Sequence, residues 1–262
     1  MINVKPEDIA GRSAKAVKAL IETFSEADYP ELWELLNGDG RTAVKNLGAQ
    51  LQRRYARMEK LRLKTAEMKK LELECYAQGY KAVCGIDEVG RGPLAGPVVC
   101  AAVIMPEDSA ILGIDDSKKL SAKRREELNA QILDEALAVA VGVRSPEDID
   151  RMNILEATKA AMVDAVTTLD IRPDMLLVDA VHLEVPMDTR AIIHGDAVCY
   201  SIAAASIVAK VYRDNLMQSY AAQFPGYGFE KNMGYGTAAH IEGIQTLGLT
   251  PIHRRSFVKH FT

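Results

Sequence analysis

The 262-residue chain has few of the residues and patterns that mark several large protein classes. Its four cysteines form no Cys-x-x-Cys pair, which argues against a disulfide framework and against a zinc site made of thiolates. No apolar run approaches the roughly 18 residues of a bilayer-spanning helix, and residues 1–9 lack the apolar segment of a signal peptide. We therefore expect a cytoplasmic protein with no membrane segment.

Positive charge is unevenly distributed, although the net charge is only −4. Between Leu51 and Lys70 the chain carries eight basic residues and two acidic ones. Apolar residues recur every three or four positions from Val44 to Leu61, as on one face of an α-helix. We interpret residues 1–72 as an all-helical N-terminal extension. Its basic stripe is either a solvated helix face or a surface for the phosphates of a nucleic acid.

Residues 73–262 have a different pattern, in which short runs rich in Val, Ile and Ala alternate with longer helical segments. The runs predict strands at Ala82–Ile86, Val98–Met105, Leu137–Val143, Met175–Val178 and Ala191–Ile193. The first two runs have hairpin spacing, whereas helices separate the later ones, among them continuous helices over Ser145–Leu169 and Ala197–Phe224. This order favours an α/β domain with a mixed sheet.

Acidic residues follow three of these predicted strands. Asp87 and Glu88 come directly after the first, Asp179 follows the fourth, and Asp196 lies just after the fifth. Because open α/β sheets bind ligands at the C-terminal ends of their strands, we expect these acids to share one crevice. Their mutual repulsion there requires a cation or partial protonation, and oxygen ligands suit Mg²⁺ or Mn²⁺ rather than Zn²⁺.

Each acid also has a simpler explanation. Asp196 alone would be interpreted as the N-cap of the helix that follows it, and Asp179 as a turn residue. Asp87 and Glu88 are adjacent, so they point to opposite faces of a strand unless the strand ends or bulges there. The loop that begins at Gly90 predicts such an irregularity, and the four acids together favour a metal site.

The loop with Gly90, Gly92 and Gly96 matches neither common nucleotide-binding loop. A dinucleotide-binding loop requires a helix at its glycines, but here Pro93 and Pro97 bracket the loop and a predicted strand follows. A P-loop is excluded because the chain has no Gly-Lys-Ser or Gly-Lys-Thr element. We expect instead that this loop brings backbone amides close to a phosphate or a sugar.

The segment Gly85-Ile-Asp87-Glu88-Val-Gly-Arg91-Gly-Pro-Leu-Ala-Gly-Pro-Val98 closely resembles the signature of the ribonuclease HII family. Further motifs follow in the family's order: Asp116-Ser-Lys-Lys-Leu-Ser121, Leu177-Val-Asp179, Gly195-Asp196, Ile202-Ala-Ala-Ala-Ser206-Ile-Val-Ala-Lys210-Val-Tyr-Arg213-Asp214, Gly234-Tyr235-Gly236-Thr237-x-x-His240 and Pro251-Ile-His-Arg254-Arg255-Ser-Phe257. Such a collinear series is far more specific than any one of its parts. Val89 stands where alanine is commoner in the family, and we expect this change to be harmless.

The resemblance implies a ribonuclease H-like fold, in which helices flank a five-stranded mixed sheet. It also implies hydrolysis of RNA paired with DNA, and cleavage on the 5′ side of a single ribonucleotide in duplex DNA to give 3′-hydroxyl and 5′-phosphate ends. By motif position, the acids that bind two Mn²⁺ or Mg²⁺ ions are Asp87, Glu88, Asp179 and Asp196. The matching substrate-binding residues are Gly90, Arg91, Gly92 and Tyr235 at the RNA–DNA junction, with Ser117, Lys118 and Lys119 near the substrate backbone. Ser206 and Lys210 are one helical turn apart, so we expect them to share a helix face that contacts phosphates.

Two other interpretations stay open. The sister family, ribonuclease HIII, has a sheet-containing N-terminal domain, whereas no strand pattern precedes Tyr80 here. A non-catalytic nucleic-acid-binding protein would use the basic residues of the segment 51–70 as its main surface. The sequence favours the enzyme, acting as a monomer on RNA–DNA hybrids and on duplex DNA that contains ribonucleotides. His253, Arg254 and Arg255 form a basic patch that either lies near DNA or is merely solvated.

Overall fold

The computed structural model describes residues 5–261, and the chain divides into two compact units between Lys64 and Thr65. The first unit contains α1 (Pro6–Ala10), α2 (Ala14–Ile21), α3 (Tyr29–Asn37) and most of α4 (Thr42–Met68). The second contains the strands β1 (Val83–Val89), β2 (Val98–Ile104), β3 (Ala138–Arg144), β4 (Met175–Asp179) and β5 (Asp188–Ile192). Its helices are α5 (Lys70–Ala77), α6 (Ala122–Glu135), α7 (Pro146–Met152), α8 (Ile154–Thr167), α9 (Gly195–Val198), α10 (Tyr200–Gln223), α11 (Phe229–Asn232), α12 (Ala238–Leu247) and α13 (Arg255–Val258). The expected boundary between residues 72 and 73 falls within α5.

The first unit is an all-helical domain, as predicted. Ser13 caps α2, since its hydroxyl accepts a hydrogen bond from the amide three residues later at 3.3 Å. Trp33 of α3 and Tyr55 of α4 pack edge to face, with ring centroids 5.3 Å apart. The buried core consists of Ile9, Val17, Ile21, Tyr29, Leu32, Leu36, Val44 and Leu51. Among residues 5–261, no helix has the length and apolar character that a bilayer span requires.

Helix α4 carries basic side chains on its solvent-exposed side. Arg53, Arg57 and Lys60 are exposed, and their spacing of four and three residues puts them on one helix face. We call these three residues the α4 basic stripe. Arg62 lies on another face, where it forms an ion pair with Glu26. The stripe therefore extends along roughly 10 Å of helix axis, at 1.5 Å per residue.

The second unit is built on one sheet with the strand order β3-β2-β1-β4-β5. β2 is antiparallel to both β1 and β3, whereas β4 is parallel to both β1 and β5. Alternate residues of β2 face opposite layers: Val99, Ala101 and Val103 pack with α6 and α10, and the residues between them pack with α8. The predicted α/β fold, with a five-stranded mixed sheet flanked by helices, is confirmed.

Two predicted helices are interrupted, so their predicted continuity was wrong. Asn153 has a φ angle of 72° and ends α7, while its side chain accepts hydrogen bonds from the amides of Leu155 and Glu156 and so caps α8. Cys199 is extended and separates α9 from α10. A break of one residue leaves the apolar periodicity almost unchanged, which is why the pattern did not reveal it.

Helix α10 lies directly on β1, and this contact positions the candidate site. A Cβ atom on Gly85 would lie 2.1 Å from the carbonyl carbon of Ser201, so the close approach requires glycine. The first turn of α10 is held by Glu72 of α5. Its Oε1 atom accepts hydrogen bonds from the Ser201 amide and hydroxyl, both at 2.7 Å, and from the Cys199 thiol at 3.1 Å. A carboxylate at the N-terminal end of a helix also interacts favourably with the helix dipole.

Candidate functional site

The parallel pairing of β1 with β4 brings three carboxylates together. Its register places Ile86 beside Val178, so that Asp87 and Asp179 follow at the same level of the two strands. One carboxylate oxygen from each of Asp87, Glu88 and Asp179 lies within 4.8 Å of the other two. We call these three residues the carboxylate cluster.

The way in which β1 supplies two of these acids differs from the expectation. β1 neither ends nor bulges at Asp87 and Glu88, since its regular pairing with β2 continues to Val89 opposite Val99. Pairing with β4, however, ends at Ile86, and the side of β1 beyond that residue is open. We attribute the meeting of the Asp87 and Glu88 carboxylates to this unpaired side of β1. Both side chains reach it although the strand itself stays regular.

The carboxylate cluster is poorly stabilised by the protein alone. Burial, followed by the charge of Glu88, raises the pKa of Asp87 well above its ordinary value. Burial also raises the pKa of Glu88, and the Oε2 atom of this residue is buried without a hydrogen-bond partner. A divalent cation would satisfy this oxygen and relieve the repulsion, and an all-oxygen donor set suits Mg²⁺ or Mn²⁺. The residues present therefore fit such an ion.

The fourth predicted acid, Asp196, is not part of the carboxylate cluster. It is tied to the cluster through its neighbour Gly195, whose amide donates a hydrogen bond to Asp179 Oδ1 at 2.7 Å. Burial raises the pKa of Asp196, and the charges of Asp116 and Asp179 raise it further. The N-cap position of α9 belongs to His194, so the interpretation of Asp196 as a helix cap was wrong.

A cleft of about 440 Å³ opens beside the carboxylate cluster. Its walls come from the loop after β1, the 3₁₀ turn Ser117–Lys119, α6 and α10. Gly90 has a φ angle of 92°, and a Cβ atom there would lie 2.2 Å from Arg213 Nε, so this position requires glycine. The lining residues are Glu88, Val89, Gly90, Arg91, Gly92, Ser117, Lys118, Arg125, Ser206, Lys210 and Tyr235. Most of the residues expected to bind substrate thus line one cleft.

Two serines connect this cleft to the carboxylate cluster. The hydroxyl oxygens of Ser117 and Ser206 are 2.9 Å apart, and both side chains are buried. Ser206 also forms a hydrogen bond with Asp87, which lowers the pKa of that acid against the larger effect of burial. These hydroxyls therefore orient the Asp87 carboxylate from the α10 side.

The three lysines expected near phosphates differ in their surroundings. Lys118 is exposed, with its Nζ atom 3.8 Å from Asp196 Oδ2. Lys210 is half-buried and donates a hydrogen bond to Asp214 at 2.7 Å. Lys119 does not line the cleft and lies 3.6 Å from Asp116. The structure thus brings Lys118 and Lys210 to the cleft and leaves Lys119 beside it.

Tyr235 reaches the cleft with its side chain, while its backbone carbonyl is held by a buried pair of histidines. It is 44% exposed, and a Cβ atom on Gly92 would lie 3.7 Å from its ring. The Tyr235 carbonyl is 2.9 Å from His240 Nδ1, His240 Nε2 is 3.1 Å from His253 Nε2, and the Thr250 amide donates to His253 Nδ1 at 2.9 Å. These contacts require that neutral His240 carries its proton on Nδ1 and neutral His253 on Nε2.

Sequence reasoning missed the burial of two arginines. Arg213 and Arg254 are fully buried, so the expected basic patch at residues 253–255 was wrong: only Arg255 is exposed, and His253 is 3% exposed. Burial lowers the pKa of Arg254 to about 9 and that of Arg213 to about 10, and both remain protonated at neutral pH. No sequence signal distinguishes the buried Arg254 from its exposed neighbour Arg255.

Comparisons with known proteins point to one family for both units of the chain. The sequence profile described as Ribonuclease HII matches residues 84–260, and the profile described as Ribonuclease HII N-terminal domain matches residues 13–76. The Ribonuclease HII of Enterococcus faecalis is 47% identical over 251 residues, which span 95% of this chain and 97% of that protein. The Ribonuclease HII of Pediococcus pentosaceus is 49% identical over 246 residues, 93% of this chain and 95% of that protein. The crystal structure of the ribonuclease H2 from Pyrococcus horikoshii aligns with a TM-score of 0.58 at 27% identity, covering 67% of this chain and 93% of that one.

Proposed function

Because this chain belongs to the ribonuclease HII family, we propose that it cuts duplex DNA on the 5′ side of single embedded ribonucleotides, as well as the RNA strand of RNA–DNA hybrids. Family membership makes it an endoribonuclease of the ribonuclease H class. The observation that carries the proposal is the carboxylate cluster, with oxygens within 4.8 Å of one another, beside a cleft that the glycine loop lines. The helical N-terminal unit with its own family match argues against the sister family, ribonuclease HIII.

Four carboxylates, those of Asp87, Glu88, Asp179 and Asp196, would hold two Mg²⁺ or Mn²⁺ ions. The unpartnered Oε2 atom of Glu88 supports a cation at this point. When bound, such a pair of ions activates a water molecule and stabilises the leaving oxygen of a phosphodiester, which leaves 3′-hydroxyl and 5′-phosphate ends. The protein contributes the rigid strands β1 and β4, which fix the position of the acids relative to the cleft.

Discrimination of RNA from DNA requires a contact to the 2′-hydroxyl. We assign this contact to the backbone of Gly90, Arg91 and Gly92. The lack of a side chain at the exposed Gly92 lets the sugar approach closely, whereas at Gly90 it makes room for Arg213 behind the loop. The exposed ring of Tyr235, next to Gly92, would stack on the adjacent deoxyribose or base edge. Together these groups would select the junction between a ribonucleotide and the deoxyribonucleotide that follows it.

The remaining polar residues of the cleft would contact the phosphate backbone. Lys118 and Lys210 supply positive charge, the hydroxyls of Ser117 and Ser206 supply hydrogen bonds, and Lys119 adds charge at the edge. The α4 basic stripe would add contacts that do not depend on sequence, as electrostatic binding to phosphates does. We assign substrate binding to the N-terminal unit on this basis.

The setting that we propose is the removal of ribonucleotides from DNA in the cytoplasm, including those of replication primers, by a monomer. All four cysteines are free, buried thiols, which suits a reducing compartment. The carboxylate cluster and the cleft are built from one chain, so the proposed chemistry needs no second copy.

A duplex DNA with one ribonucleotide, labelled at the 5′ end of that strand, tests the proposal. We expect one cut on the 5′ side of the ribonucleotide in Mn²⁺ or Mg²⁺, and none in EDTA or on the same duplex made wholly of deoxynucleotides. Extension of the labelled product by a DNA polymerase checks for its 3′-hydroxyl. Absence of a cut in Mn²⁺ would reject the activity, and a cut on the 3′ side would reject the proposed cleavage position.

A further inference from the structure

Arg254 lies behind the glycine loop and binds its backbone. The side chain is fully buried, and its guanidinium donates hydrogen bonds to the carbonyls of Gly96 at 2.9 Å, Arg91 at 2.9 Å and Gly90. The Arg254 amide also donates to the Leu94 carbonyl at 2.9 Å. The C-terminal segment thus fixes the loop through both its backbone and a side chain that solvent does not reach.

The geometry of the peptide group gives these contacts a directional effect. In a trans peptide the carbonyl and the following N–H point in opposite directions, and the chain from residue 5 to residue 261 contains no cis peptide. Because the Gly90 and Arg91 carbonyls point inward to Arg254, the amides of Arg91 and Gly92 point outward. Arg91 and Gly92 are both exposed and line the cleft. Two adjacent donors therefore face the place where substrate would lie.

We propose that Arg254 is the positioning residue of the glycine loop, which it holds so that the amides of Arg91 and Gly92 are aimed at the 2′-hydroxyl of the substrate. The inference rests on the proposed function, since it assumes that a ribonucleotide occupies the cleft. Arg254 makes no contact with substrate itself, because it is buried behind the loop, and it acts only through the two peptide groups that it orients.

Arginine has the geometry that this role requires. Its planar guanidinium offers donors in a fixed fork, so one side chain binds three carbonyls at once, whereas a lysine ammonium is a single point on a flexible stem. The ring of Phe257, 5.2 Å from the guanidinium carbon, holds the plane of the fork. Arg213 binds three other carbonyls, those of Ala95, Pro97 and Met233, and so supports the neighbouring backbone rather than the peptides at Gly90 and Arg91.

Binding to two duplexes that differ in one 2′-hydroxyl tests the proposal. In EDTA, where nothing is cut, we expect the wild-type protein to prefer the duplex that contains the ribonucleotide. In Arg254→Lys this preference should fall about tenfold, as when one or two hydrogen bonds are lost, while affinity for the all-deoxy duplex stays the same. Arg172→Lys, at an exposed arginine of the loop before β4, is the matched control and should retain both affinities.

Amide hydrogen exchange of the wild-type protein gives a second test, which does not depend on how well Arg254→Lys folds. The Arg91 and Gly92 amides should exchange with solvent deuterium rapidly in the free protein. They should be protected by the ribonucleotide duplex and not by the all-deoxy duplex. Equal protection by both duplexes would overturn the proposal, as would a wild type without preference.

The outcomes of these experiments separate this inference from the proposed function. If the wild type cuts at the ribonucleotide but Arg254→Lys keeps its full preference, the positioning role is rejected and the activity stands. If Arg254→Lys loses affinity for both duplexes alike and its Tm falls, Arg254 is a purely structural residue, and the positioning role is again rejected. A wild type that cuts no ribonucleotide duplex in Mn²⁺ rejects the proposed function instead.

Discussion

Asp87 occupies the most buried position of the carboxylate cluster, at 4% exposure. We expect Asp87→Asn to lower the cleavage rate by roughly a thousandfold or more, because an amide lacks the charge that binds the divalent ions and those ions supply several kcal/mol of stabilisation. Affinity for the duplex should change little, since the phosphate contacts come from other residues. Single-turnover cleavage and equilibrium binding measure the two effects.

The control for this substitution is Asp134→Asn, at an exposed acid of α6, which should retain full activity. A second readout is thermal: Mn²⁺ should raise the Tm of the wild type and of Asp134→Asn, since a ligand that binds only the folded state stabilises it. The same ion should leave the Tm of Asp87→Asn nearly unchanged. Cleavage at the wild-type rate by Asp87→Asn would contradict its assignment as a metal ligand.

Tyr235 should matter most where a single ribonucleotide meets DNA. We expect Tyr235→Ala to lower kcat/KM on a duplex with one ribonucleotide by about tenfold, the effect of losing one stacking contact. The loss should be smaller on a long RNA–DNA hybrid, where many positions can be cut. Tyr235→Phe keeps the ring and should retain most of the activity on both substrates. An equal loss on both substrates in Tyr235→Ala would argue against a role at the junction.

At the scale of elements, α4 offers a separable contribution to binding. Substitution of Arg53, Arg57 and Lys60 by glutamine should weaken duplex binding uniformly and lower the slope of log K against log salt by about 2.7, because each phosphate contact on B-DNA contributes about 0.9. A titration of binding against salt concentration measures this slope.

The matched control removes three exposed lysines from the same unit, Lys5, Lys15 and Lys18, again by substitution with glutamine. Lys15 and Lys18 belong to α2, and Lys5 is the N-cap residue of α1, so none of them lies on α4 and the salt slope should stay at the wild-type value. If the two triple variants behave alike, the α4 basic stripe is a solvated helix face and the N-terminal unit has another role.

The sequence predicts elements better than it predicts their ends and partners. β1 to β4 follow from short apolar runs, whereas the run at Ala191–Ile193 marks only the last two residues of β5 (Asp188–Ile192). α4 follows from its apolar period. The break at Asn153 was hidden because asparagine adopts a positive φ angle and caps a helix without any change in hydrophobicity. The acids that follow the predicted strands could be assigned to one edge of the sheet, because the end of a strand is visible in the local sequence. The environment of Arg254 could not be assigned, because its carbonyl partners lie more than 150 residues away in the chain.

For the molecule as a whole, the buried pair of His240 and His253 predicts sensitivity to acid. Burial, and then the neighbouring His240, lowers the pKa of His253 from 6.5 to about 4. The folded state therefore binds fewer protons than the unfolded state between these values. The resulting stability is fully present above pH 6.5 and is lost as the pH falls towards 4.

Chemical denaturation in EDTA across this range measures the effect. The free energy of unfolding of the wild type should fall, between pH 7.5 and 4, by about 3 kcal/mol more than that of His253→Gln. His182→Gln, at an exposed histidine, should follow the wild-type curve. Parallel curves for the wild type and His253→Gln would show that His253 does not titrate abnormally in the folded protein.

The position of Glu72 decides where the chain can be shortened without damage to the catalytic domain. Its carboxylate is the acceptor for the Ser201 amide and hydroxyl, in the first turn of the helix that carries Ser206 and Lys210. A truncated protein that starts at residue 73 would lack this acceptor, and its loss of activity would wrongly be attributed to a missing substrate-binding domain. A deletion that stops at Lys64 removes the N-terminal unit and leaves the acceptor in place. Only that shorter deletion reports on what the N-terminal unit itself contributes.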